Sequence, residues 1–120
     1  MRADPKFAAP YFLLGDVFAR EGQHRQAAPL LRKALELSPS DVDAAVALSR
    51  ALAGLEDRTA SLTILEAARQ HNPRDPRLAL ELSRIYQKQG ETDRARQYAV
   101  LAASLKQEHR KTPASLLDRQ

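Results

Sequence analysis

Residues 11–39, YFLLGDVFAREGQHRQAAPLLRKALELSP, decide how the rest of the chain is read. Within them Tyr11, Leu14, Gly15, Phe18, Gly22, Ala27, Leu31, Ala34 and Pro39 set a register. A shift of 34 residues finds Leu48, Leu52, Leu65, Ala68 and Pro73, and a second shift finds Leu82, Tyr86, Gly90, Ala95 and Ala102. Self-similarity at such a period means that one helical supersecondary unit recurs, each copy burying a face against its neighbour. Three units are expected, at 8–41, 42–75 and 76–109, with an N-terminal arm at 1–7 and a cap or tail at 110–120. Pro5 stands one period before Pro39, so the arm reads as the remnant of a preceding repeat in a longer array.

The local chemistry of each unit predicts two helices. In the first, a helix is expected from about Ala9, with Pro10 in the opening turn where a missing N–H does no harm. Tyr11, Leu14, Gly15 and Phe18 share one face at i, i+3, i+4 and i+7. Gly22 supplies a left-handed closing residue, and a second helix is expected from about Arg25 to Leu37, with Pro29 inside it. In the second unit Ser40 or Asp41 should cap the first helix, and the turn glycine stands two residues early as Gly54, with Glu56 in the usual slot. That helix is expected to end early, at Gly54. In the third unit Asp75 and Pro76 start a helix and Gly90 ends it. Thr92 or Asp93 should cap the last helix, which should run on to about Lys111 because Gln107 replaces the terminal proline. Leu101 and Leu105 would then lie uncovered, and Leu116 and Leu117 are expected to cap that apolar edge in a short final helix.

This register resembles the tetratricopeptide repeat (TPR), whose pattern W-x2-L-G-x2-Y…A-x3-F…P has the same period. The resemblance implies an all-α, right-handed α-solenoid of three helix-turn-helix repeats with a short C-terminal capping helix. Small residues at matching positions (Gly15, Ser49 and Ser83; Ala27, Ser61 and Ala95; Ala34, Ala68 and Ala102) fit closely approaching helix axes. The resemblance also implies a concave groove lined by the free faces of the first helices. Carried over by register, that groove holds Phe12, Val46 and Leu80 as an apolar row, with Asp16, Arg50 and Arg84 beside it. Arg20 and Lys88 extend the row, and Arg77 lies near a helix start. Such a surface suits a protein or peptide segment that presents apolar side chains between carboxylates. The basic groups would steer and set register more than add net affinity. Some family members clamp a chaperone's C-terminal carboxylate, but Phe12, Asp16, Ala47 and Glu81 stand at four of the positions concerned and only Arg77 matches, so no such clamp is expected.

Composition narrows the function classes. The formal charge of +4 lies mainly from Arg77 onward, without the dense basic stripe and interleaved aromatics that nucleic-acid tracking uses. With no cysteine there is no disulfide framework or thiolate metal site. No apolar run approaches the roughly 18 residues of a membrane-spanning helix. His24, His71 and His109 have no i, i+4 partner, no phosphate-binding glycine loop occurs, and no serine sits in a nucleophile-elbow setting. Neither a catalytic role nor a cofactor is expected. The expectation is a non-catalytic binding scaffold. The alternatives are a structural or self-associating segment of a longer array, or the docking part of a larger enzyme. Arginine preferred over lysine, with abundant alanine, fits a bacterial source.

Overall fold

The computed structural model describes residues 7–111, which form six helices and no strand. These are α1 (Ala8–Arg20), α2 (His24–Leu37), α3 (Val42–Gly54), α4 (Arg58–His71), α5 (Pro76–Lys88) and α6 (Thr92–Lys111). They fall into two compact units, dividing between Pro73 and Arg74. The expected cap at Leu116 and Leu117 and nearly all of the expected arm lie outside the described residues.

In the first unit, α1 pairs with α2, α2 packs on α3, and α3 pairs with α4. Ala27, Ala28 and Leu31 of α2 meet Leu48, Ala51 and Leu52 of α3 in one core, with Phe12, Phe18 and Ala19 of α1 packed against it. Gly15 is buried, and a Cβ there would stand 2.8 Å from Leu31 Cγ, which is why this position is small. Ser49 fills the matching place on α3, its hydroxyl donating to the Val46 carbonyl at 2.8 Å, and the Ser61 hydroxyl of α4 donates to the Ser49 carbonyl at 2.8 Å, so both buried serines are satisfied. Asp41 caps α3 by accepting from the Ala44 N–H, and Asp57 caps α4 by accepting from the Ala60 N–H. Asn72, just past α4, donates through its side chain to the Ser40 carbonyl at 3.0 Å and so ties the end of α4 to the linker before α3.

The second unit is the pair α5 and α6. Asp75 caps α5, accepting from the Arg77 N–H at 2.9 Å, with Pro76 in the first turn. The hydrogen bond and ion pair from Arg77 hold the Asp75 carboxyl below its ordinary range. Tyr86 and Tyr98 stack with ring centroids 5.7 Å apart. At the far end of the pair, His109 Nε2 lies 3.2 Å from the Arg74 carbonyl and Arg74 pairs with Glu108.

Several expectations need correction. Gly54 does end α3, but not early: α1, α3 and α5 all run 13 residues and end at equivalent positions. The left-handed residue of that turn is Glu56, with φ 64°, where Gly22 has 75° and Gly90 has 79°. All three turns close with the same bond, from Gln23, Asp57 and Glu91 N–H to the Phe18, Leu52 and Tyr86 carbonyls, each at 2.9 Å. The geometry of the turn therefore prevails over the side chain's preference, which is worth about 1 kcal/mol. Gly54 has a different reason to be small. A Cβ there would fall 2.5 Å from the His24 ring, which is half-buried at the start of α2. Thr92 and Asp93 lie inside the first turn of α6 instead of capping it. On α6, Leu105 is buried and Leu101 half-buried, and the open apolar residue is Val100. On α1, Tyr11 and Leu14 are exposed although their face was expected to be interior.

Candidate binding surface

The residues expected to line a groove sit where helical spacing puts them on their own helices. On α1, Phe12, Asp16 and Arg20 follow at i, i+4 and i+8. Phe12 is half-buried against the core, while Asp16 and Arg20 form an ion pair at 2.9 Å. On α3, Val46 is half-buried and Arg50 exposed one turn further on. The apolar members therefore serve packing and surface at once.

On α5, Arg77, Leu80, Arg84 and Lys88 recur at i, i+3, i+7 and i+11, one continuous stripe. Leu80 is half-buried and the three cations are exposed. Two of those cations are engaged locally, Arg77 with Asp75 and Arg84 with Glu81, each at 2.9 Å. The Arg77 pair, exposed on its guanidinium side, is worth about 0–1 kcal/mol, so an incoming carboxylate can compete for that guanidinium at little cost. Glu81 is buried, which holds the Arg84 pair more firmly than the Asp16 and Arg20 pair.

The stripe borders a groove of about 590 Å³ between α5 and α6. Arg84 and Lys88 line one wall and Arg96 the other, above a floor that includes Ser83, Ala95 and Ala99. Arg96 was not among the expected residues. It lies on a second helix, whereas the reading by resemblance looked only at first helices. Its signal was present in the register, because Arg96 stands where Ala28 and Leu62 stand in the two preceding repeats. Among the described residues no group of three His, Asp or Glu side chains could hold a metal ion, and no helix is long and apolar enough to cross a membrane.

Comparison with known proteins agrees with the helix-pair architecture. A family model described as "Tetratricopeptide repeat" matches residues 18–77 and again residues 52–114. Among solved structures, one titled "Crystal structure of MamA" aligns with a TM-score of 0.79 at 20% identity, covering 87% of this chain and 61% of its own. A second, "MamA MSR-1 C2", aligns at 0.75 with 20% identity, covering 89% and 60%. A third, "MamA AMB-1 C2221", aligns at 0.71 with 21% identity, covering 79% and 56%. The chain thus spans about three-fifths of the length of these structures, and at this identity the likeness is one of fold. No curated protein matches in sequence.

Proposed function

The chain belongs to the tetratricopeptide repeat family, and from that premise we propose that it is a non-catalytic scaffold that binds a protein or peptide segment on the free faces of its first helices. One observation carries the reading: the stripe Arg77, Leu80, Arg84 and Lys88, in which exposed cations flank a half-buried leucine along the whole of α5. Phe12 with Asp16 and Arg20, and Val46 with Arg50, offer the same combination on α1 and α3. A segment with apolar anchors spaced between carboxylates matches that chemistry. On α5 its anchors would meet Leu80 while its carboxylates replace Asp75 at Arg77 and pair with Lys88.

Selection from a peptide library tests the reading. The wild-type domain should enrich acidic-apolar peptides, and Arg50→Glu with Lys88→Glu, both at exposed positions, should lose them while helicity and Tm stay close to wild type. Equal enrichment by both proteins would count against the proposed surface.

A further inference from the structure

The third repeat gathers positive charge where the first does not. On α1, Arg20 is matched by Asp16 one turn before it, at 2.9 Å. The same two register positions on α5 hold Lys88 and Arg84, so two cations stand where α1 has an ion pair. A third cation stands across the groove, because Arg96 of α6 occupies the position that Ala28 holds in α2. Arg84, Lys88 and Arg96 all line the α5–α6 groove, and no aspartate or glutamate lines it with them.

This face is built differently from the covered face of α2. There Ala27, Ala28 and Leu31 are all apolar and are buried against α3. On α6 the same positions are Ala95, Arg96 and Ala99, and the last two are exposed. An apolar helix laid across Lys88 and Arg96 would strip their hydration and return no countercharge. The chemistry of the lining therefore selects an anion.

The charge balance decides which anion. Arg84 is held by the buried carboxylate of Glu81 at 2.9 Å, so that pair is close to neutral. Lys88 and Arg96 have no ion-pair partner among the described residues, and Asp93, which borders the outer side of Arg96, forms no ion pair with it. Two uncompensated cations remain at the groove. A carboxylate brings one negative charge and leaves one of them unmatched. A phosphate monoester carries about −1.5 to −2 charges at neutral pH and three acceptor oxygens, close to what Lys88 and Arg96 lack. Gln87, exposed on the α5 wall, adds an amide donor.

We propose, on the premise that a segment binds along α5, that this segment carries a phosphorylated side chain whose phosphate sits in the α5–α6 groove between Lys88 and Arg96. Arg96 belongs to the groove and not to the α5 stripe, so the two readings can fail separately.

Three peptide libraries panned against the full chain provide the test. They share random flanks around one fixed position, held as phosphoserine, glutamate or serine. The phosphoserine library should be recovered at least about tenfold better than the glutamate library, as one or more added charge-assisted hydrogen bonds require. Arg96→Ala, at an exposed position, should bring the two libraries to within about twofold of each other, with circular dichroism confirming that the variant is folded. Equal recovery of phosphoserine and glutamate by the wild type would overturn the phosphate assignment and leave the peptide-binding surface standing. Recovery from none of the three libraries would overturn both. A phosphoserine preference that survives Arg96→Ala would place the phosphate outside the groove and overturn the assignment. An oligothymidylate strand or phosphatidylserine vesicles that outcompete the phosphopeptides at equal phosphate concentration would give the groove to another phosphate source. A preference gained only in Leu116→Ser with Leu117→Ser would give it to the chain's own C-terminal segment. Either of these results also overturns the proposal.

Discussion

Leu14 on α1 and Leu48 on α3 are the same residue at the same place in the repeat, 34 positions apart, on helices of equal length. Leu48 is fully buried because α2 lies across it, and Leu14 is half exposed because among the described residues no helix lies across α1 in that way. What a repeat residue contributes is therefore set by its neighbours as much as by its identity, the one-dimensional logic of stacked repeats. The largest expected effect breaks the pair apart. Leu48→Ala should cost about 2–5 kcal/mol, the range for emptying a packed leucine site. Leu14→Ala should change monomer stability by no more than about 0.5 kcal/mol. Urea denaturation of the two variants at low protein concentration measures both, and a comparable loss for Leu14 would show that its face is covered in solution.

A second contrast lies one residue on, between Gly15 of α1 and Ser49 of α3. Both are buried, but Ser49 already carries a Cβ, whereas one added at Gly15 would stand 2.8 and 2.9 Å from Leu31 Cγ and Cδ2. Leu31 has no exposed surface and cannot yield. Gly15→Ala should therefore cost about 1–3 kcal/mol by overpacking. That loss outweighs the helix propensity of up to about 1 kcal/mol that alanine adds. Ser49→Ala, which leaves the Ser49 carbonyl in place to accept from Ser61, should stay below that cost in the same denaturation assay. A neutral Gly15→Ala would mean that α1 and α2 are less tightly joined than the distances state.

How much of this could be read beforehand differs by kind of contact. The period and the apolar spacing placed the start of α1 and the bounds of α2, α3, α5 and α6 to within about two residues, because both are properties of one helix or of one register. The packing residues Leu31, Leu48, Leu65 and Ala68 followed for the same reason, and all four are buried. Exposure of Tyr11 and Leu14 could not be read from their own helix, since it depends on whether another helix lies across α1. Gly54 was misjudged for a related reason: its neighbour is His24, 30 residues away on a different helix, and a glycine near a helix end looks the same whether it turns the chain or makes room. On the candidate surface, the positions of Arg77, Arg84 and Lys88 along α5 were legible from helical spacing. That Glu81, the carboxylate available to Arg84, is buried was not, because an i, i+3 pair on a surface gives no sign that one member is covered.

The turns supply the third contrast. Gly22 and Glu56 share a left-handed backbone and the same closing hydrogen bond, so the residue type alone separates them. Gly22→Ala has open space around the new Cβ and should cost about 1 kcal/mol from backbone conformation alone. Glu56→Gly should stabilise by up to a similar amount, about 1 kcal/mol, less the extra freedom glycine has when unfolded. Thermal melts of both should move Tm in opposite directions. Shifts of the same sign would mean that the Glu56 side chain contributes a contact that offsets its strain.

The smallest expected effect concerns the end of α3 against the start of α2. The His24 ring lies half-buried where a Cβ on residue 54 would stand, and its Nδ1 is buried without a hydrogen-bond partner in the described protein. The ring therefore has no polar anchor holding it there, and steric fit against the glycine is what the site offers. Alanine at 54 gains up to about 1 kcal/mol of helix propensity, less at the last residue of a helix, but forces the ring to move. In the wild-type background the two terms should nearly cancel or leave a small loss. In a His24→Ala background the obstruction is gone, and Gly54→Ala should then stabilise. A double-mutant cycle reads the difference as a coupling energy of at least about 0.5 kcal/mol, the level expected of residues in direct contact. Additivity would mean that the ring swings clear without cost, and the small residue at the end of α3 would then lose its explanation.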